Sequence, residues 1–179
     1  MVGEWQDFEI RPDGRRELIA EGRNLVVNNA HIVLAMVMKQ DPSYGGFLYW
    51  AVGDGNMGDS VDTPAWDAGV EDGSIAPDVS DTQLAREIYR KAIQPSDIVF
   101  IDAAGNISAT PTNRLQISLT FNEDEPYNDG TIAYFREWGL YGGDATGTLN
   151  SGYLINRKVH KTYEKTNVSK LERVLRFTF

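Results

Sequence analysis

The chain contains no cysteine and only two histidines, His31 and His160. The first absence rules out disulfides, thiolate metal sites and a cysteine nucleophile. The second leaves too few ligands for a histidine-rich metal centre. Long apolar runs are missing as well. The longest covers residues 32–38, far short of the ~20 residues that a bilayer span needs. Met1 is followed by Val-Gly-Glu-Trp, with neither a basic nor an apolar leader segment, so no signal peptide is expected. Basic charge is scarce: the net charge is −9 and the pI about 4.7. That balance argues against nonspecific nucleic-acid binding, which needs a basic footprint. There is no internal repeat, no low-complexity tract and no linker dividing the chain.

What remains is enough for one domain with a real core: 179 residues, 41% of them hydrophobic. The charge is unevenly spread. Asp54, Asp59, Asp62, Asp67, Glu71, Asp72, Asp78 and Asp81 fall in a stretch without lysine or arginine. Arg157, Lys158, Lys161, Lys165, Lys170, Arg173 and Arg176 make the last quarter basic. This asymmetry suits head-to-tail contacts between copies, and equally a set of solvated loops.

Residues 1–23 read as an amino-terminal arm, with Trp5, Phe8 and Ile10 before a Pro12-Asp13-Gly14 turn and Leu18 and Ile19 after it. Residues 24–179 read as a single domain. Asn28 or Asn29 can cap a helix that runs to Lys39. Residues 30–38 are apolar on nearly all sides, which predicts a buried helix. Residues 47–52 form a short apolar run that predicts a core strand. Residues 53–80, rich in Gly, Asp, Ser and Pro, predict a long acidic loop. Extended structure is expected from Glu87, and a strand over residues 98–102. Residues 115–121 alternate strictly between apolar and polar, the mark of a strand with one buried face. Ile132, Tyr134, Trp138 and Leu140 share one phase, and Leu171, Leu175, Phe177 and Phe179 another. Many strands, one helix and many turns predict a mainly β fold: an antiparallel β-sandwich with one embedded buried α-helix.

Few constellations point to chemistry. The stretch from Gly53 to Asp59 spaces oxygen ligands as a calcium loop does, but the twelfth position from Asp54 is Ala65 rather than glutamate. A plain turn is the simpler reading. The glycines between Gly139 and Gly147 lack the lysine of a phosphate loop and suit hairpin turns. Asp124, Glu125 and Asp129 cluster in one loop, whereas a glycosidase holds two carboxylates at fixed separation, one in an apolar setting. His31 reads as a core residue. His160, flanked by Lys158 and Lys161, reads as a surface one. Trp50 and Trp138 read as core, and Trp66 as a partner contact. Glu137 and Arg157 interrupt apolar strands with opposite charge and are expected to pair, partly buried.

Several short motifs occur in a fixed order: Asn24-Leu25-Val26-Val27, the apolar helix, Ala51-Val52-Gly53-Asp54-Gly55, Thr82-Gln83-Leu84, Glu137-Trp138-Gly139-Leu140-Tyr141, Arg157, Lys165-Thr166 and an alternating terminal strand. This order resembles a family of bacteriophage tail and tail-fibre-associated, baseplate-type structural proteins. The resemblance spans residues 24–179. It implies a β-rich, non-enzymatic virion protein without cofactor. The expected site is the phage tail, assembled in the host cytoplasm. The expected partners are other phage structural proteins and further copies in a symmetric oligomer, with no nucleic acid and no membrane. Capsid decoration, or a tail-associated carbohydrate-binding or glycan-degrading module, are the alternatives. On this reading the arm and the 53–80 loop make intermolecular contacts through Trp5, Phe8 and Trp66, residues costly to leave in water.

Overall fold

The structure is a computed structural model describing residues 1–55 and 76–179. Its strands are β1 (Val2–Ile10), β2 (Arg16–Val26), β3 (Gly45–Gly53), β4 (Glu87–Ala92), β5 (Ile98–Phe100), β6 (Arg114–Phe121), β7 (Ala133–Gly143), β8 (Tyr153–Lys165) and β9 (Lys170–Thr178). One helix, α1 (Asn29–Met38), follows β2. Among the described residues all nine strands join one sheet in the order β4-β3-β7-β8-β2-β1-β9-β6-β5. Every pairing is antiparallel.

This is a mainly β, antiparallel fold, but not two separate sheets. The sheet is continuous and curls on itself through β2. Residues 16–24 of that strand pair with β1, while Leu25 and Val26 pair with Arg157 and Asn156 of β8. The curl brings apolar faces together along an aromatic seam. Phe47 of β3 stacks on Phe177 of β9 at 5.0 Å, and Trp138 of β7 meets Trp5 of β1 edge-on at 6.0 Å. Phe121 of β6 packs against Phe135 of β7 and Tyr89 of β4. Trp50, Trp138, Phe121, Phe135 and Phe177 are all fully buried. Burying one side chain of this size stabilises the fold by roughly 1.5–3 kcal/mol, so the seam dominates the energetics of closure.

The strict alternation of residues 115–121 becomes β6, with Ile117, Leu119 and Phe121 inward. The expected arm does not exist as one. β1 lies inside the sheet, paired over its full length with β9 and flanked by β2. Trp5 and Phe8, expected to reach a partner, are instead 5% and 9% exposed within their own chain. Trp5 points into the seam and donates through Nε1 to the Arg23 carbonyl. Phe8 lies on the opposite face, roofed by the Arg16 guanidinium 3.2 Å from its ring centre. Glu172 holds that guanidinium in place.

The helix also departs from expectation. It packs on β8 and β3, but only Ala30 and Val33 are buried. Ile32, Leu34, Val37 and Met38 are 40–74% exposed. An all-apolar helix would be expected inside; here the curled sheet has filled its interior with aromatics, and the helix caps one end. Asn28 makes no side-chain cap. No helix among the described residues is long and apolar enough to cross a membrane.

Candidate functional site

The polar interior centres on Glu137, which is fully buried on β7. Its carboxylate accepts from Arg157 Nε at 3.0 Å and lies 2.8 Å from Arg157 Nη2. The structure therefore brings the expected pair together. The two residues stand diagonally, because Gly139 is opposite Arg157 and Val159 is opposite Glu137. Sequence reasoning missed what else the pair holds. Glu137 Oε2 accepts from the Ala85 amide and Oε1 from the Arg86 amide, at 3.1 and 2.9 Å. The neighbouring Leu84 amide donates to the Tyr141 hydroxyl at 3.0 Å. Arg157 Nη1 reaches on to Asp81 at 2.8 Å. Three consecutive amides, outside any strand, are thus bound by side chains of β7. Gly53 makes room for this: a Cβ there would stand 2.7 Å from Glu137 Oε1 and 2.5 Å from the Arg86 carbonyl.

A second buried pair lies at the edge strand β4. An irregularity in its pairing, where Val52 faces Tyr89 but Gly53 faces Glu87, turns Glu87 to the same face as Arg90. The Arg90 side chain is 1% exposed and that of Glu87 fully buried. Arg90 Nη2 donates to Glu87 at 2.7 Å, and Nη1 donates to the Thr146 and Ser151 carbonyls. The Asn150 amide returns a bond to Glu87 at 2.8 Å. The 144–152 loop is therefore tied to β4 through the Arg90 and Glu87 side chains.

A third cluster joins β1, β8 and β9. Arg173 is wholly buried and donates through Nε to Asp7 at 3.1 Å. Its Nη2 lies 3.0 Å from His160 Nε2, and His160 Nδ1 lies 2.7 Å from the Lys161 carbonyl. A carbonyl can only accept, so Nδ1 carries the proton and Nε2 accepts from Arg173. Burial, and then the Arg173 charge, hold the His160 pKa well below its ordinary value. Burial raises that of Asp7 against the lowering pull of Arg173. His160, expected on the surface, is thus an interior residue, while His31, expected in the core, is exposed.

In the 122–130 loop, Glu125 binds Lys91 at 2.7 Å, accepts the Tyr89 hydroxyl and caps the Asn122 amide. Burial pushes its pKa up, but the Lys91 and Asn122 bonds outweigh this and leave it lowered. An acid catalyst would need the opposite shift. Burial, with Glu125 beside it, raises Tyr89 to about 12. Among the described residues no three His, Asp or Glu side chains gather as metal ligands. Trp66 and the calcium-like spacing beyond Gly55 lie outside the described residues.

The surface offers two larger hollows. One, of about 490 Å³, lies between β8 and the β1–β2 hairpin, with Trp5, Asp7, Ile19, His160, Lys161 and Tyr163 in its wall. The other, of about 440 Å³, runs beside α1 and is apolar; Val33, Leu34, Val37, Phe47, Ile98 and Phe179 are among its lining residues. Compared with known proteins, the chain matches no family model, no curated protein and no solved structure.

Proposed function

We propose that this chain is a non-enzymatic structural component of a bacteriophage tail, of baseplate or fibre-attachment type, working as one copy among several in a symmetric assembly. The observation that carries the reading is the apolar, uncharged face of α1 with its adjoining groove, left open to solvent at one end of the sheet. Contiguous apolar surface of this kind marks a place where another macromolecule sits. The ordered motifs from Asn24 to Thr166 supply the virion context. The buried charges support the same reading, since each cluster holds a loop or strand in place. We read the curled sheet as a sandwich-like body that gives such a module its rigidity.

The sheet edges do not serve as the contacts. β4 is six residues long and β5 only three. A short edge is a poor template for strand addition. Contact passes through the helix end of the molecule instead.

Immunogold electron microscopy of particles carrying this protein is the test. Label concentrated on tails is the expected result. Label confined to capsids, or absent from particles, overturns the assignment. Incubation of the pure protein with host polysaccharide should release no reducing ends, and release abolished by Glu125→Gln would replace it with a glycan-degrading one.

A further inference from the structure

The face formed by α1 and its groove is specific enough to name its occupant. We propose that it binds a second copy of this chain in a two-fold arrangement, with the helix ridge of each copy seated in the groove of the other. This rests on the reading above only in taking the chain to work in an assembly.

Charge selects the occupant first. No Asp, Glu, Lys or Arg side chain occurs in α1 or among the groove-lining residues; His31, and the backbone ends at Met1 and Phe179, are the ionisable groups there. The chain as a whole carries −9, so two copies repel over most of their surface, and like charges brought together are costly. The α1 face is where they can meet without opposing acidic side chains.

Shape agrees. A two-fold contact uses the same patch twice, so the patch must be complementary to itself. This one carries a ridge and a hollow of the same chemistry side by side. Val37, which lines the groove, is 44% exposed, and the next residue, Met38, is 74% exposed. The hollow of about 440 Å³ lies in the size range that receives compact apolar groups. Methionine suits such a contact because its flexible thioether fills irregular gaps.

The area is of the right size. Exposures of 36% at Met1, 40% at Leu34, 44% at Val37, 74% at Met38 and 46% at Phe179 amount to roughly 400 Å² of apolar surface, taking about 150–200 Å² for each fully exposed side chain. A standard interface buries about 800 Å² per partner, of which a little over half is apolar. The exposed apolar area therefore matches one half of an ordinary dimer.

Sedimentation velocity of the pure full chain across a concentration series tests this. The expected species is a dimer of two 20.0 kDa chains. Val37→Lys and, separately, Met38→Glu should each raise the dissociation constant at least tenfold. Both sites are solvent-facing, so the thermal melt should be unchanged in dilute solution. Leu18→Glu, on the exposed face of β2 at 46%, should leave the dimer intact. A wild-type chain that stays monomeric at every concentration overturns the proposal. So does a dimer untouched by both helix variants, which would place the interface elsewhere. Tail labelling with a monomeric pure chain would sink the occupant and spare the structural reading; a helix-dependent dimer with no tail label would do the reverse.

Discussion

Replacing Glu137 by leucine is the sharpest perturbation of the folded core. The side chain is wholly buried and serves four donors: Arg157 Nε, Arg157 Nη2, and the amides of Ala85 and Arg86. Leucine accepts nothing. Two backbone N–H groups are then left without a partner, at about 1–3 kcal/mol each if they stay dry. Arg157 keeps Asp81 but loses its buried counter-charge, and breaking such a pair costs about 3–5 kcal/mol. These penalties overlap because residues 81–86 can peel away and rehydrate. About 4 kcal/mol is therefore expected rather than the full sum. For a chain of this size that is a fall in Tm of about 8–16 °C, from a total stability on the order of 5–15 kcal/mol. Glu137→Gln keeps volume and one acceptor and should cost about half as much. Urea unfolding supplies the free energies, and amide exchange shows where they act: Leu84, Ala85 and Arg86 should lose protection before β7 does. Removing Arg157 as well, as Glu137→Leu with Arg157→Met, should not restore wild-type stability, because the two amides stay orphaned. A leucine variant within about 1 kcal/mol of wild type, with residues 84–86 still protected, would refute the argument.

Other outcomes follow from the same interior. His160 is held neutral, donating to the Lys161 carbonyl and accepting from Arg173, and its folded pKa lies well below 6.5. Above that pH both folded and unfolded states are neutral; below it only the unfolded state takes up the proton, so stability must fall as pH drops. His160→Gln should flatten that limb in a urea series between neutral and mildly acid pH, and an unchanged slope would show that other groups set it. Asp7 acts oppositely at lower pH, since its raised folded pKa lets the folded state protonate first. Arg90→Leu should free residues 144–152, seen as faster proteolysis in that loop with β7 still intact. Deleting residues 1–22 should unfold the chain, because β1 supplies both Trp5 and the inner partner of β9; a folded, truncated monomer by circular dichroism would contradict the placement of β1.

Local patterns were legible where neighbours in sequence decide the outcome. The alternation at 115–121 is a one-faced strand, and opposite charges in the apolar strands around Glu137 and Arg157 do meet. Patterns that depend on distant partners were not. The arm reading failed because Trp5 and Phe8 occupy opposite faces: Trp5 is covered by Trp138, far along the chain, and Phe8 by its near neighbour Arg16, which the distant Glu172 holds in place. Arg173 had an available signal: it shares the phase of Leu171, Leu175 and Phe177, and an arginine in an apolar phase needs a buried acid. Asp7, 166 positions away, could not be named from that phase alone. The lysines beside His160 suggested solvent, whereas curling of the sheet turns the ring inward. For α1 the composition located the helix but not its depth, since how much of an apolar helix is covered depends on what already fills the core.

The central claim is that this module works by assembly through its helix face, and Met38 reports on it directly. Its side chain is 74% exposed in the single chain, and methionine oxidation follows access. Peroxide footprinting of Met38, read by mass spectrometry in dilute free protein and in assembled particles, is the measurement. The account predicts ready oxidation in the free chain and at least tenfold slower oxidation in the particle, with no change in the wholly buried methionine-free seam around Trp138 as judged by its tryptophan signal. Equal Met38 oxidation in both states would contradict it.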